Sequence, residues 1–445
     1  MSRGQRFAAL ALGDKSANTE GMRKNLFSSR CLGSICLVLA VALGALHLVS
    51  CGDGEKASDG DVATAQEDGS AEPAPTQDWP LFRGDAEMQG VSPIENIEPP
   101  LELVWQFEPP ALKEPKEGQT RRIPPIKATA VIADGRAFVG SEESRFFCID
   151  ISDGSLIWEF KSESAITGSA AVVDGHVYFG DFAGFVYKLN AETGEEVEDW
   201  RFETFDKIEG GINVLEVAND EGVVEKRLYI GSHDYHLYCI NADTGEEIWK
   251  VETDNYVIST PSIVASLPAV CFGGCDGLLH VVSAVDGKKM HEVEIGQYIA
   301  NSTAARDGVA YVSHYGGDVL AVDISTGETI WKVTTGVEYQ ATPAVTKDLV
   351  LIGGRDKKLV AYNRVDGSVQ WEFVGRRDFD SSPMICGPVT YIGGMDGRLY
   401  AIDTESGEEL WSYEVGARLS SSPVLSRGVL VIGGEDGKVY GFREE

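Results

Sequence analysis

The sequence predicts an all-β protein: an eight-bladed β-propeller of four-stranded antiparallel blades, its ring closed by an N-terminal strand that completes the last blade. Three observations lead there. A unit of about 40 residues recurs, marked by Gly154, Gly194, Gly245, Gly287, Gly327, Gly367 and Gly407 at gaps of 40, 51, 42, 40, 40 and 40 residues. Each unit holds four short apolar runs separated by turn residues, the pattern of one small sheet. The last unit, opening at Ser422-Pro423, stops after Val439-Tyr-Gly-Phe442 without a fourth strand, while Leu103-Val-Trp105-Gln-Phe107 stands ahead of the first unit with no partners of its own. Pairing these two remnants seals the ring and removes two open sheet edges.

Within a unit each element has its own cause. Ser-Pro-Met-Ile (382–385) opens an inner strand, and Tyr391-Ile-Gly-Gly-Met-Asp-Gly397 ends the second strand in a hairpin whose glycines accept positive φ. After the third strand, Asp403 (like Asp323, Asn241 and Asn190) can fold its side chain over the turn, with Gly407 in the left-handed position. Trp411 then starts the outer strand, its apolar face expected to wedge against the next blade. The same docking role is expected of Trp105, Trp158, Trp200, Trp249, Trp331 and Trp371. Blade 4 departs, with Met290 where the Trp is expected, and blade 2 has two extra residues before Trp200. The 51-residue gap falls mostly in Val217–Lys226, which should lengthen the loop between inner and second strands of blade 3.

Ahead of the repeat lies an address. Residues 22–51 carry Arg23, Lys24 and Arg30, then the apolar run Ile35 to Val49, short for a membrane span, and end Leu48-Val49-Ser50-Cys51. Residues 1–50 are therefore expected to be a signal peptide, with Met22 a candidate start. Residues 51–78 form an acidic stretch of small and polar residues that cannot build a core, a disordered tether reaching roughly 30 Å. The propeller occupies 79–445.

Charge narrows the partners. With 38 Lys and Arg against 70 Asp and Glu, the net charge of −32 opposes nucleic acid and anionic lipid, so membrane contact should come from an anchor. Cys148, Cys239, Cys271, Cys275 and Cys386 are an odd set within the repeat, which argues against a disulfide framework. Cys148 and Cys239 stand where Ala401 and Ala361 stand in other units and read as small buried residues.

Two resemblances follow from these residues. Leu48-Val49-Ser50-Cys51 resembles the lipobox of bacterial lipoproteins, which implies a lipid on Cys51; Gly52 after it does not resemble the inner-membrane retention signal, which implies the outer membrane, facing the periplasm. The phrase Ala-x-Asp-x-x-Ser/Thr-Gly-x-x-x-Trp, at Ala401–Trp411 and Ala321–Trp331, is similar to the tryptophan-docking repeat of the pyrroloquinoline-quinone (PQQ) propellers. Trp79-Pro-Leu-Phe-Arg-Gly84 with Gly90-Val91-Ser92 is similar to the head of many bacterial members. Within that superfamily the lipobox, tether and eight plain blades resemble the outer-membrane-protein assembly factor BamB. This resemblance implies a non-catalytic, monomeric scaffold that binds a protein partner, an outer-membrane assembly complex in the BamB case, with no cofactor. The alternatives are a quinoprotein dehydrogenase, which would hold PQQ with calcium but whose adjacent Cys-Cys pair is missing here, and a propeller sensing a small ligand or peptide.

Propeller geometry puts the loops entering inner strands, and the hairpins between second and third strands, on the face of the axial funnel. There an aromatic recurs before the inner strand at Tyr256, Tyr298, Tyr339 and Phe379, with Asn301, Gln340, Asp380 and Arg418 as polar neighbours, a candidate ligand or partner rim that could equally be packing between blade tops. The opposite face carries Glu195-Glu196, Glu246-Glu247 and Glu408-Glu409, a solvated or basic-partner rim. Lys113, Lys116, Arg121, Arg122 and Lys127 form a basic island in a Pro-rich linker. Cys271, Cys275 and His280 have a soft-ligand look but lie on ordinary strand positions, and His233 and His236 are too few ligands for a site. No nucleophile elbow or phosphate loop appears, so no catalytic residue is expected.

Overall fold

The computed structural model describes residues 78–92, 96–112, 123–218 and 222–445. The predicted signal peptide, Cys51 and the tether up to residue 77 lie outside the described residues, as do Lys113, Lys116, Arg121 and Arg122.

Eight sheets form the ring. Blade 1 runs Val131–Ala133, Arg136–Ser141, Arg145–Asp150 and Leu156–Lys161, and blades 2 to 6 repeat this order of inner, second, third and outer strand. Blade 7 comprises Met384–Cys386, Val389–Gly393, Arg398–Asp403 and Glu409–Glu414. Blade 8 takes Val424–Ser426, Val429–Gly433 and Val439–Glu444 from the C-terminus and Leu101–Phe107 from the N-terminus. The closing pair is antiparallel, from Leu101 opposite Glu444 to Phe107 opposite Val439. Second and third strands are buried on both faces, so they read as continuous apolar runs, while outer strands alternate.

Six of the seven tryptophans named for docking pack across a blade boundary. Each lies on the turn glycine of the following blade: Trp105 on Gly154, Trp158 on Gly194, Trp200 on Gly245, Trp249 on Gly287, Trp331 on Gly367 and Trp371 on Gly407. At Gly154 a Cβ would come within 2.7 Å of the Trp105 ring, so the glycine is required for contact as well as for its φ of 75°. The indole N–H of Trp105 donates to Ile151 O (2.8 Å), and that of Trp371 to Thr404 O (3.1 Å). In blade 4 the expectation of Met290 at this place is off by one residue. His291 pairs with Val281 as Trp331 pairs with Ala321, lies against Gly327, and shares a hydrogen bond with Ser325 O (2.8 Å). Met290 points outward, exposed. Trp411 has no turn glycine to meet, because third and outer strands of blade 8 come from opposite ends of the chain, and it stays half-buried.

The surplus of blade 3 also differs from expectation: it is largely ladder. Asn213–Ala218 pairs with Val224–Gly231 over six rungs, against three in blade 1. The hairpin therefore extends beyond its neighbours on the face opposite the funnel, with Val223 and Val224 exposed at its tip.

The head segment Asp78–Ser92 has a role that its sequence did not disclose. It begins on the opposite face, where Asp78 accepts from Asp134 N (3.2 Å), and then winds round the axis. Trp79 pairs with Ile132 of blade 1, and Pro80 O accepts from Val172 N of blade 2. Ala86 O accepts from Asn213 Nδ2 of blade 3 and Ile263 N of blade 4. Glu87 O, Gln89 O and Gly90 O accept from Ala305, Val345 and Ile385 of blades 5, 6 and 7 at 2.7–2.9 Å. Val91–Ser92 finally adds a parallel strand to blade 7. Inner strands leave N–H groups facing the axis, and this strap accepts one from each of blades 1, 2 and 4 to 7, with the Asn213 side chain taking that place on blade 3.

Candidate functional site

The funnel forms because each chain segment entering an inner strand repeats one short conformational pattern. Its first fixed point is a buried apolar plug: Ile126, Ile166, Ile208, Val257, Ile299, Tyr339, Phe379 and Leu419 for blades 1 to 8, none above 2% exposed. The next residue faces the funnel, as Lys127, Thr167, Glu209, Gln340 and Asp380 do, and two residues further on comes a row of hydroxyls. The hydroxyls are linked head to tail from blade 3 round to blade 1. Gly211 N donates to Thr260 Oγ1, Thr260 N to Ser302 Oγ, Ser302 N to Thr342 Oγ1, Thr342 N to Ser382 Oγ, Ser382 N to Ser422 Oγ and Ser422 N to Thr129 Oγ1, at 2.8–3.3 Å. The Ser/Thr-Pro signature of the inner strands is thus the visible trace of a belt round the axis. The funnel encloses about 410 Å³, with Phe82 of the strap at its floor.

Charges in the funnel are paired locally. Lys127 meets Glu142 (2.8 Å), Lys207 and His233 both meet Glu209 (3.0 and 2.9 Å), and Arg355 grips Asp380 with two hydrogen bonds (3.0 and 3.1 Å). The hydrogen bond to His233 holds the Glu209 carboxyl down at about 2 against the opposing effect of burial, with Lys207 contributing. The Asp380 carboxylate drives the Arg355 guanidinium further above its ordinary value.

The four aromatics of the expected rim occupy two different positions. Tyr339 (2% exposed) and Phe379 (0%) are plugs, packed between blades, with Tyr339 Oη sharing a hydrogen bond with Thr335 Oγ1 (3.1 Å). Tyr256 (39%) and Tyr298 (38%) stand one residue earlier and project from the funnel face. The structure places two more aromatics beside them, Phe205 (88%) and Tyr235 (41%), so that the exposed aromatic side chains among the described residues all lie on the rim of blades 2 to 5. Tyr256 packs on His233 and Tyr235 (ring centroids 4.4 and 5.3 Å), and Tyr298 stacks on Tyr315 (4.8 Å). Sequence reasoning missed Phe205 and Tyr235 because neither recurs at a fixed repeat position. Asn301 and Gln340 both line the funnel, Asn301 being buried there with its amide donating to Ser313 Oγ and Ala341 O.

Blades 6 to 8 present a different rim. The position of Tyr256 and Tyr298 is taken there by Glu338, Asp378 and Arg418, and with Arg355, Asp356 and Arg377 these line an open cleft of about 580 Å³. Arg418 is well exposed and reaches Glu435 only at 3.9 Å.

The remaining candidates are structural. Burial pushes the Cys271 thiol up to about 12 and the Cys275 thiol up to about 11. His280 is buried against Phe272 and bonded to Asp276 (2.9 Å), and Cys148 and Cys239 are buried as their alanine counterparts predict. On the opposite face Glu196 pairs with Arg201 (2.8 Å) and Glu247 with Lys250 (3.3 Å) at the surface. Among the described residues no three His, Cys, Asp or Glu side chains converge as a metal-holding set.

A family model described as outer membrane protein assembly factor BamB matches residues 101–208, 184–297, 275–387 and 376–445, that is, every blade. The chain belongs to the BamB family. Relatives include the protein of that name from Yersinia pestis, 23% identical over 58% of this chain and 67% of the relative, and that from Nitrosomonas eutropha, 24% identical over 42% and 44%. The chain thus spans less than half the length of the second relative and about two thirds of the first. Among solved structures, BamB from Moraxella catarrhalis superposes with a TM-score of 0.62 at 17% identity, covering 77% of this chain and 99% of that one. The quinohemoprotein alcohol dehydrogenase from Comamonas testosteroni superposes at 0.66 and 16% identity, over 83% and 81%. At such identities the superpositions speak for the shared propeller alone. BamB family membership and the eight closed blades agree with the reading of the sequence.

Proposed function

We propose that this chain is a non-catalytic scaffold of the cell envelope that receives a protein partner on its funnel rim, in outer-membrane protein assembly as the names of its relatives imply. Residues 1–50 serve as its signal peptide, Cys51 carries the lipid that anchors it to the outer membrane, and the residues up to 77 tether the propeller on the periplasmic side. The observation that carries this reading is the aromatic arc of Phe205, Tyr235, Tyr256 and Tyr298. Large exposed aromatics have no value to the fold, and rigid amphipathic rings on a rigid frame are the usual anchors of protein interfaces. Crosslinking and mild-detergent co-purification from native membranes test it. Wild-type protein should carry assembly components with it, and a Tyr256→Ala/Tyr298→Ala variant should lose them while melting normally. Equal recovery with both proteins would remove the arc from the interface.

PQQ with calcium fits these residues poorly. Among the described residues the funnel carboxylates, Glu142, Glu209 and Asp380, sit on three separate parts of the ring, each engaged by its own cation, and no indole lines the funnel. A calcium ion needs six or more oxygens converging on one point.

A further inference from the structure

We infer that the bottom of the funnel is a binding site for a compact oxyanion, a carboxylate or phosphate group, held by the hydroxyl belt above the buried guanidinium of Arg83. The belt supplies the first half of the argument. Thr260, Ser302, Thr342, Ser382, Ser422 and Thr129 are all at least nine-tenths buried, and each accepts one backbone N–H from the blade before. An acceptor bond leaves a hydroxyl its own hydrogen. Among the described residues no protein acceptor takes these hydrogens, so an arc of six O–H donors, on blades 1 and 4 to 8, lines the funnel axis.

Arg83 supplies the second half. It lies in the strap at 1% exposure, with one guanidinium nitrogen donating to Pro383 O, one residue below the Ser382 hydroxyl of the belt. Its Nε and Nη1 are buried without a hydrogen-bond partner, and no carboxylate of the described residues stands within ion-pair distance. The strap backbone itself lies about 10 Å below the belt, three strand residues deeper, so the guanidinium reaches up from it. Its place is fixed by Gly90, where a Cβ would fall 1.9 Å from Nη2 and where φ is 68°. Burial lowers the Arg83 guanidinium to about 9 and lifts the Asp85 carboxyl to about 6, so the nearest acidic group is a reluctant counterion.

A buried charge that makes no ion pair is costly, and that cost is what an incoming anion relieves. Among the described residues each funnel carboxylate is already answered by a cation, which leaves Arg83, just beneath the lining next to Phe82, as the nearby cation that makes no ion pair. The net −32 of the chain opposes anions at long range, so the site selects a ligand small enough to reach the donors at the bottom.

The test uses the full chain, melted and titrated calorimetrically with inorganic phosphate and, separately, with formate at fixed ionic strength and pH 7.5. At saturation either anion should raise the melting temperature by about 2–4 °C with one site per chain. A Ser382→Ala/Ser422→Ala variant should bind at least tenfold more weakly, and Arg83→Met should not bind. Should Arg83→Met fail to fold, the hydroxyl variant decides alone, read as the anion-dependent shift and not as absolute stability. Tighter phosphate binding assigns a phosphoryl ligand and tighter formate binding a carboxylate. The absence of a saturable response to either anion, or an equal response in the hydroxyl variant, overturns the inference.

Discussion

Two arcs of one rim are built on the same backbone and differ in everything they show to solvent. Just before the buried plug, blades entered at 256 and 298 carry Tyr256 and Tyr298, while those entered at 338, 378 and 418 carry Glu338, Asp378 and Arg418. The plugs that follow are buried on both arcs, Val257 and Ile299 on one, Tyr339, Phe379 and Leu419 on the other. The fold therefore constrains the plug and leaves the preceding residue open. Where the architecture makes no demand, an accumulation of exposed aromatics on one side and of charges on the other is information about contact, with the aromatic side suited to a dry interface and the charged side to orientation and approach.

That contrast can be attacked from its strongest side first. Phe379→Ala, at a plug, should cost about 3–5 kcal/mol by chemical denaturation, whereas Tyr256→Ala should cost under about 0.5 kcal/mol; similar losses would mean that both are packing residues and the rim is one structure. Next, Tyr256→Ala/Tyr298→Ala should weaken partner capture at least tenfold, about 1.4 kcal/mol, while Arg377→Ala/Arg418→Ala should change it under about threefold and chiefly alter its dependence on salt. A larger loss from the arginine pair would reverse the roles of the arcs.

A smaller effect concerns the strap shared by both arcs. The Asp85 carboxyl is raised to about 6 by burial, so the folded state binds a proton more readily than the unfolded one, and stability falls as pH rises from about 4 to 6. Asp85→Asn keeps a side-chain oxygen to accept from Gln89 N and removes this penalty. It should gain about 1 kcal/mol at pH 7 and flatten the slope between pH 4 and 6 in urea titrations at several pH values. An unchanged slope would show that Asp85 is hydrated. Least of all, exchanging Tyr298 and Glu338 across the arcs should leave the melting curve within about 0.5 kcal/mol while capture falls, and a marked destabilisation would show that the fold does constrain this position.

Much of this molecule was legible before any coordinates, and the division has a physical basis. Strand order, turn glycines, docking tryptophans and the borrowed closing strand all leave a trace every 40 residues or so, because each blade must solve the same local problem of turns and burial. From that trace the sequence alone determined eight blades, their seam at Trp105 and which face carries the funnel. It could not separate Tyr339 from Tyr298, because one residue of shift at a strand entrance exchanges core for solvent without disturbing the repeat. The step from Met290 to His291 needed no tertiary information, because the Gly-x-x-x-Trp spacing counted from Gly287 already reaches His291, as the pairing register shows. The course of Asp78–Ser92 and the burial of Arg83 were decided by tertiary structure, because their partners lie as far as 300 residues away and recur in no pattern along the chain.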